Sequence, residues 1–131
     1  MPIRLYIDDI RPAPEGWMQA RNVTDAIKTI ARFGLEITEI SLDHDISLAV
    51  SVSGEYRPFP SDETFQAVAY YMIAYYGNYH KGLVNPPHKP KVTIHTANPV
   101  GGKELELLLN ENGFTTTMNP ASRVNRLESE V

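Results

Sequence analysis

The chain has 131 residues, an apolar fraction of 42% and a charged fraction of 21%, values typical of one globular domain with a sizeable core. Its net charge of −4 argues against binding along a nucleic-acid backbone, which needs clustered lysine and arginine, but leaves room for a small phosphate ligand. The absence of cysteine excludes disulfides and thiolate zinc sites, and there is no signal-peptide pattern and no apolar run long enough for a membrane span. We therefore expect a soluble, cytoplasmic protein with no membrane partner.

Apolar periodicity and turn residues divide the chain into alternating strands and helices. Short β-rich runs mark the strands, and a cap residue followed by an apolar stripe with a 3.6-residue period marks each helix. The predicted strands are 3–7, 17–22, 36–42, 91–98 and 114–118, and the predicted helices follow caps at Asn22, Ser61 and Asn98 and end before Gly34, Gly77 and Gly113. Residues 46–60 have no clear period and contain Gly54, Pro58 and Pro60, which predicts a long loop.

This alternation predicts an α/β fold: a parallel sheet of about five strands with helices on both faces and right-handed crossovers. We place one domain over residues 1–120, followed by a polar tail over 121–131. In such sheets the ligand binds beyond the carboxyl ends of the strands, near the point where the strand order reverses.

Polar side chains follow three of the predicted strands, at the point where each strand ends. Because parallel strands bring their carboxyl ends to one edge, these side chains are expected to line a single crevice there. The three groups are Asp8-Asp9, then Asp43-His44-Asp45, then His95-Thr96 with Asn98.

Carboxylates from separate strand ends suit a hard cation such as Mg²⁺ or Mn²⁺. Asp9 and Asp43 are the first candidates for ligands, with Asp8 and Asp45 behind them. The two histidines of the crevice, His44 and His95, suit general acid and base catalysis, since histidine titrates near neutral pH. A mixture of histidine and carboxylate ligands would also accept Zn²⁺ or Mn²⁺.

Four further residues are candidates for binding phosphate. Arg11 follows the acidic pair and can clamp a phosphate with two hydrogen bonds, and Thr96, Asn98 and the Gly101 amide stand near a helix N-terminus. Simpler explanations exist for several of these positions. Asn98 also serves as a helix cap, a single aspartate at a strand end is often a turn former, and the glycine spacing here matches no phosphate-loop motif.

The positions of Asp8-Asp9, Asp43 and Thr96 resemble the receiver domain of response regulators, which has an acidic pair, a phosphoacceptor aspartate and a threonine or serine at three strand ends. The sequence departs from that pattern in three ways. The stretch between Asp9 and residue 17 is too short for the usual first helix, and Asn119-Pro120 stands where a receiver has a lysine after its last strand. In addition, His44 and His95 are not receiver residues.

These departures indicate a narrower group. The motifs "LYIDDIRPAPEGW", "ISLDHDI" and "VTIHTANPVG" resemble those of the cyclic-phosphate-processing receiver-like family, over residues 3–118. The resemblance implies a receiver-type sheet in which a loop replaces the first helix, and a role in processing or binding cyclic phosphates in nucleic-acid repair or nucleotide signalling. The matching site positions are Asp9, Asp43, His44, Asp45, His95 and Asn98, with Asp8 and Arg11 beside them.

We therefore expect a phosphodiesterase-like hydrolase of a small cyclic phosphate or nucleotide, with a divalent cation at Asp9 and Asp43 and a proton supplied by His95 or His44. RNA ends with a cyclic phosphate remain an alternative substrate, whereas long RNA is disfavoured by the acidic charge. Two other functions stay open: a sensor that binds the ligand without cleaving it, and a receiver phosphorylated on Asp43. Because strand ends usually lie outside the core, we expect His95→Ala to leave the fold intact.

Overall fold

The computed structural model describes residues 2–52, 55–78 and 88–119 of the chain. Seven strands, three α-helices and one π-helical turn occupy these residues. The strands are β1 (Ile3–Ile7), β2 (Met18–Ala20), β3 (Ile37–Leu42), β4 (Asp45–Val52), β5 (Glu55–Thr64), β6 (Lys91–Ile94) and β7 (Thr116–Met118). The helices are α1 (Val23–Phe33), α2 (Gln66–Ile73) and α3 (Pro99–Glu111), and the π-helical turn Ala74–Asn78 continues α2. No helix in the described part of the chain is long and apolar enough to cross a membrane.

Five strands form one sheet in the order β2-β1-β3-β6-β7, and each neighbouring pair is parallel. Counted along the chain within this sheet, the order is 2-1-3-4-5, which is the doubly wound order of flavodoxin-like domains. The strand order reverses between β1 and β3. The predicted α/β fold with a parallel sheet of five strands is confirmed, and the reversal point places the ligand crevice beyond the ends of these two strands.

The connections β2–α1–β3, β3–α2–β6 and β6–α3–β7 all run in the same direction across the sheet, so right-handed crossovers place the three described helices on a single face. Helix α1 packs against α2, and α2 packs against α3. Their buried side chains form one apolar cluster with the fully buried residues of three strands, Leu5, Ile7, Ile40, Leu42, Val92 and Ile94. A helical layer on the other face, as predicted from the β/α alternation, is not found among residues 2–52, 55–78 and 88–119, because no helix connects β1 to β2.

A loop replaces that first helix, as the resemblance implies. Residues 8–17 contain no helix, and the amide group of Gln19 in β2 fixes their path. Its Nε2 donates to the carbonyl oxygens of Asp8 and Arg11 at 2.9 and 3.0 Å, and its Oε1 accepts from the amide of Ala13. The loop that begins at Asp8 and Asp9, directly after β1, therefore has a defined conformation.

The chain between β3 and α2 differs from the prediction. Residues 46–60 were expected to be a loop, but β4 and β5 pair there as an antiparallel hairpin separate from the main sheet. Ser61 was expected to cap the following helix, but it lies within β5, and the helix begins at Gln66 after Phe65. The predicted polar tail at 121–131 lies outside the described residues.

The predicted caps at Asn22 and Asn98 are confirmed. The side-chain oxygen of Asn22 accepts a hydrogen bond from the amide of Asp25, and that of Asn98 accepts one from the amide of Gly101. Each cap satisfies one backbone donor that the first helical turn leaves without a partner. Asn98 thereby fixes the start of α3 close to the end of β6, at the edge of the sheet where the crevice lies.

Candidate functional site

One cavity of about 190 Å³ opens at the carboxyl edge of the sheet, and we call it the carboxyl-edge cavity. Its lining comes from the segments that follow β1, β3 and β6, which confirms that the polar strand ends meet. The lining residues are Asp8, Asp9, Ile10, Arg11, Asp43, Asp45, Thr96 and Ala97. Ligand pockets for small organic molecules usually span about 300–1,000 Å³, so this cavity can enclose a phosphate group and part of what carries it.

Backbone pairing extends one residue beyond each strand and fixes the position of the site residues. The amide of Asp8 donates to the Ala20 carbonyl at 3.1 Å, and that of Asp43 donates to the Ile7 carbonyl at 3.0 Å. The amide of His95 donates to the Leu42 carbonyl, also at 3.0 Å. The site residues are therefore held by the rigid sheet rather than by a free loop, which gives a functional site its precision.

The Asp8 carboxylate is buried and surrounded by hydrogen-bond donors. Its Oδ1 accepts from the amides of Ile10 at 2.9 Å and Arg11 at 2.8 Å. Its Oδ2 accepts from His95 Nε2 at 2.9 Å and, more weakly, from Arg11 Nη1 at 3.4 Å. Burial alone would raise the pKa of Asp8, but the bonds from His95 and from the two amides hold this pKa below its ordinary value. Asp8 is therefore an anion at neutral pH.

The His95 side chain is only 1% exposed and lies behind Asp8 rather than in the cavity lining. Its Nε2 donates to Asp8, its Nδ1 bonds the Ser41 hydroxyl at 2.6 Å, and its ring stacks on Tyr6 with centroids 4.4 Å apart. The expectation that His95 lies outside the core is wrong. Both ring nitrogens already have partners, so the geometry assigns His95 the positioning of Asp8 rather than contact with a ligand.

Arg11 provides the positive charge of the cavity. Its Nη1 donates to the His95 carbonyl at 2.8 Å as well as to Asp8, which anchors one side of the guanidinium group. The side chain remains 37% exposed, and the residue belongs to the cavity lining. Because guanidinium has five donors in a planar fork, the anchored group can still present hydrogen bonds to a phosphate.

The carboxyl group of Asp43 has a raised pKa. Burial and the neighbouring charge of Asp8 raise its pKa from 3.8 to about 6, against the opposing effects of the His44 amide, His95 and Arg11. The His44 amide donates to its Oδ1 at 2.7 Å, the only hydrogen bond to this carboxylate within the described part of the chain. Two carboxylates this close disfavour joint ionisation, and a bound cation would remove that repulsion.

Three carboxylates lie close together at the cavity. Asp8, Asp9 and Asp43 each offer an oxygen within 4.8 Å of the others. A carboxylate has about four lone-pair sites, and the four bonds to Asp8 use all of them. The residues present therefore fit a hard cation with oxygen ligands from Asp9 and Asp43, and with Asp8 as a nearby charge. Asp45 does not belong to this group.

His44 forms a pair with Asp45, which lines the cavity. Asp45 Oδ1 accepts from His44 Nδ1 at 2.7 Å and from the Asn98 side-chain amide at 3.2 Å. The His44 Nε2 is buried and has no hydrogen-bond partner among the described residues. Asn98 therefore both caps α3 and orients the Asp45 carboxylate. The Nε2 of His44 remains available for a hydrogen bond or a proton transfer.

Gly101 has a packing role that the sequence did not indicate. Its amide is already bonded to Asn98, and it is not among the cavity-lining residues, so phosphate binding by Gly101 stays a prediction that the geometry does not favour. A side chain at this position would collide with the His44 ring. The glycine allows His44 to lie directly against the start of α3.

Gly101→Ala is expected to destabilise the protein by about 1–3 kcal/mol, because the collision with His44 outweighs the better helix propensity of alanine. Gly77→Ala is the matched control, since a methyl group there meets no described atom within 4 Å, and the better helix propensity of alanine should stabilise the protein by up to about 1 kcal/mol. Urea unfolding of both variants measures the difference. Equal stabilities would show that His44 is not held against the helix.

Thr96 is buried and lines the cavity, where its hydroxyl accepts a hydrogen bond from the backbone amide of Asn98 at 3.1 Å.

Sequence reasoning did not identify Ser41, which bonds His95, or Gln19, which fixes the loop. The available signal for Ser41 was a polar residue inside an otherwise apolar strand, one position before the strand's last residue. A buried hydroxyl there requires a partner, and the partner is His95.

The strand order, the missing first helix and the acidic cluster at the carboxyl edge together define a receiver-like α/β domain with a modified site. A model of the cyclic-phosphate processing receiver domain matches residues 3–111, and the chain therefore belongs to this family. A search of curated proteins and a search of solved structures gave no match. The family assignment thus agrees with the resemblance seen in the sequence motifs.

Proposed function

We propose that the carboxyl-edge cavity binds a cyclic phosphate together with one divalent cation and hydrolyses one ester bond of the phosphate ring. The observation that carries this proposal is the convergence of Asp9, Asp43 and Arg11 on one small cavity. The description of the family, which refers to cyclic-phosphate processing, supports the same class of ligand. Mg²⁺ and Mn²⁺ are the cations proposed, since both accept carboxylate, water and phosphate oxygens.

The charges of the cavity make a cation necessary for an anionic ligand. Four carboxylates line the cavity, those of Asp8, Asp9, Asp43 and Asp45, and Arg11 is the single positive charge among the lining residues. A phosphodiester brings a further negative charge, which this lining would repel. Burial and, after it, the charge of Asp8 raise the pKa of Asp43, so the cavity without a cation already disfavours the ionised carboxylate. A cation held by Asp9 and Asp43 would reverse the sign of the local field.

The reaction proposed is addition of water to a cyclic phosphodiester. The water oxygen forms a bond to phosphorus and gives up one proton, one of the two ester P–O bonds of the ring breaks, and the released ester oxygen takes up one proton, which leaves a phosphate monoester. A bound divalent cation supplies neutralisation of the phosphate charge and orientation of the water. Arg11 orients the phosphate, and Asp8 holds Arg11 in place through its guanidinium and amide.

We assign the donation of a proton to the released ester oxygen to His44 rather than to His95. Both nitrogens of His95 are engaged by Asp8 and Ser41, whereas His44 Nε2 has no partner among the described residues and its Nδ1 is oriented by Asp45. The His44 Nε2 is buried, so this role requires the ring or its surroundings to shift when the ligand binds. Catalytic hydrogen bonds often tighten only in the complex.

A sensor that binds the ligand without cleaving it is the second candidate function. The specific observation in its favour is that neither His44 nor His95 is among the cavity-lining residues, so no imidazole stands beside the bound phosphate before a rearrangement. Asp9, Asp43 and Arg11 would then serve as binding residues alone.

Product formation separates the two candidates. The purified protein is incubated with cyclic mononucleotides, cyclic dinucleotides and oligonucleotides ending in a 2′,3′-cyclic phosphate, each with Mg²⁺, with Mn²⁺ and with a chelator. We expect a phosphate monoester only when the cation is present, and a strong loss of turnover with retained ligand binding in His44→Asn. Binding of a panel member without any product would support the sensor, and neither binding nor product would contradict both functions.

A further inference from the structure

A second cavity opens at the opposite edge of the sheet, and we call it the amino-edge cavity. Its volume is about 540 Å³, which falls in the range of small-molecule sites. It lies where strands begin: Lys91 is the first residue of β6, Thr38 the second of β3, and Thr115 directly precedes β7. The lining residues are Thr38, Tyr76, His88, Lys89, Pro90, Lys91, Gly113 and Thr115.

The amino-edge cavity has a basic lining in an acidic protein. The chain carries a net charge of −4, yet no carboxylate is among these lining residues, and one short segment contributes His88, Lys89 and Lys91. Within residues 2–52, 55–78 and 88–119, neither lysine forms an ion pair. Glu39 stands opposite Lys91 in the strand register but is not part of the lining. The lysine charges are therefore available to an anion.

Backbone features hold the lysines in place. Pro90 is buried between them, and proline fixes its own φ and restricts Lys89 to extended conformations. Gly113 has a φ of +86°, a left-handed conformation that favours glycine, and a side chain there would come within 3.3 Å of the Lys89 ammonium nitrogen. The missing side chain thus leaves the space that the Lys89 ammonium group occupies at the cavity wall.

The cavity also offers surface for an uncharged part of a ligand. The ring of Tyr76 is buried in the wall, while its hydroxyl donates to the Gly34 carbonyl at 2.8 Å and is thereby occupied. Thr38 and Thr115 also line the cavity, and the Thr38 hydroxyl donates weakly to the Ile3 carbonyl at 3.4 Å. A cavity of this volume exceeds the needs of a phosphate ion alone and has room for an organic group.

We propose that the amino-edge cavity binds an organic phosphate of nucleotide size, with its phosphate at Lys89 and Lys91 and its organic part toward Tyr76. Ammonium groups are established phosphate binders through charge and hydrogen bonding. This site is separate from the carboxyl-edge cavity. Thr38 lies in β3 and Asp43 directly follows that strand, five residues further along the chain, which corresponds to a distance of about 17 Å. The proposal does not depend on the activity proposed above.

Amide NMR spectra of ¹⁵N-labelled protein test the proposal, with inorganic phosphate, AMP, ADP and adenosine as probes. We expect AMP or ADP to shift the amides of Thr38, Lys91, Gly113 and Thr115 in a saturable way below about 10 mM, with a smaller effect of phosphate and none of adenosine. Lys89→Gln combined with Lys91→Gln should weaken binding at least about tenfold. Lys103→Gln is the matched control, since Lys103 is exposed and paired with Glu106 on α3, outside the cavity.

Three results would overturn the proposal. The first is the absence of saturable shifts at these four amides, and the second is a set of shifts confined to the carboxyl edge, at Asp9, Asp43 and Thr96. The third is undiminished binding of AMP or ADP by the double lysine variant. The spectra also show whether each variant is folded, so a loss of binding can be separated from a loss of structure.

Discussion

Asp43→Asn is expected to abolish the processing of cyclic phosphates and, at the same time, to stabilise the cation-free protein at pH 7.5. The loss of activity follows because asparagine removes one of the two carboxylates that would hold the cation. We expect a decrease in turnover of at least about 100-fold, the scale of losing one strong electrostatic contribution to the transition state. The gain in stability follows from the pKa of the same group.

The sign of the stability effect follows from linkage between protonation and folding. The pKa of Asp43 is raised by burial and by the charge of Asp8, from 3.8 to about 6, so the folded protein binds this proton more tightly than the unfolded chain. The resulting stabilisation is fully present below pH 3.8 and is lost as the pH rises through about 6. At pH 7.5 the ionised carboxylate therefore costs the folded state about 3 kcal/mol at most.

Urea unfolding of wild type and Asp43→Asn, at pH 4 and at pH 7.5 without divalent cations, measures this effect. The variant should be the more stable protein at pH 7.5, and its advantage should shrink toward pH 4, where Asp43 is protonated. Asp8 is present in both proteins, so its own contribution to the pH dependence of stability is common to them. Glu111→Gln, an exposed position on α3, is the control for removing a surface charge. A variant that is less stable than wild type at pH 7.5 would show that the carboxylate is not destabilised by its surroundings.

His95→Phe is expected to abolish activity and to destabilise the fold, whereas His95→Gln should retain most of both. Phenylalanine fills the buried space but leaves Asp8 without its bond from Nε2, a loss of roughly 2–3 kcal/mol for a charged partner. Glutamine places an amide donor at a similar distance from the backbone and can restore that bond. Urea unfolding and steady-state kinetics of both variants provide the comparison.

The glutamine variant distinguishes positioning from proton transfer. If His95 donated a proton to the leaving oxygen, glutamine would be as inactive as phenylalanine, because an amide does not titrate near neutral pH. If His95 positions Asp8, the glutamine variant keeps its turnover with a KM close to that of wild type. Ser41→Ala, which removes the partner of His95 Nδ1, should give a smaller loss of turnover, and Ser41→Thr should reverse that loss. An inactive, fully folded His95→Gln would contradict the positioning role.

Local sequence signals predicted most of the main sheet and the meeting of its polar strand ends. The caps at Asn22 and Asn98 and the short β-rich runs report on structure within a few residues, which is the range over which propensity and capping act. The parallel order then brought Asp9, Asp43 and Thr96 to one edge. The hairpin of β4 and β5 escaped prediction because Pro58 and Pro60 argue against a strand, although an outer strand tolerates them.

The burial of His95 could not be predicted, because its environment depends on residues distant in the chain. Ser41 lies 54 residues away and Asp8 lies 87 residues away, and the register of three strands brings the three side chains together. A polar residue at a strand end is exposed in most sheets. In this protein, hydrogen bonds to side chains of the neighbouring strands compensate the burial of His95, so this histidine belongs to the core.

The most direct test of the proposed activity is ³¹P NMR of a 2′,3′-cyclic mononucleotide incubated with the protein. With wild type and Mg²⁺, we predict that the cyclic phosphodiester signal is replaced by a phosphate monoester signal. The cyclic signal should persist with a chelator and with Asp43→Asn. Conversion at the same rate by Asp43→Asn, or in the presence of chelator, would contradict a cation-dependent hydrolase built on the carboxylates of this cavity.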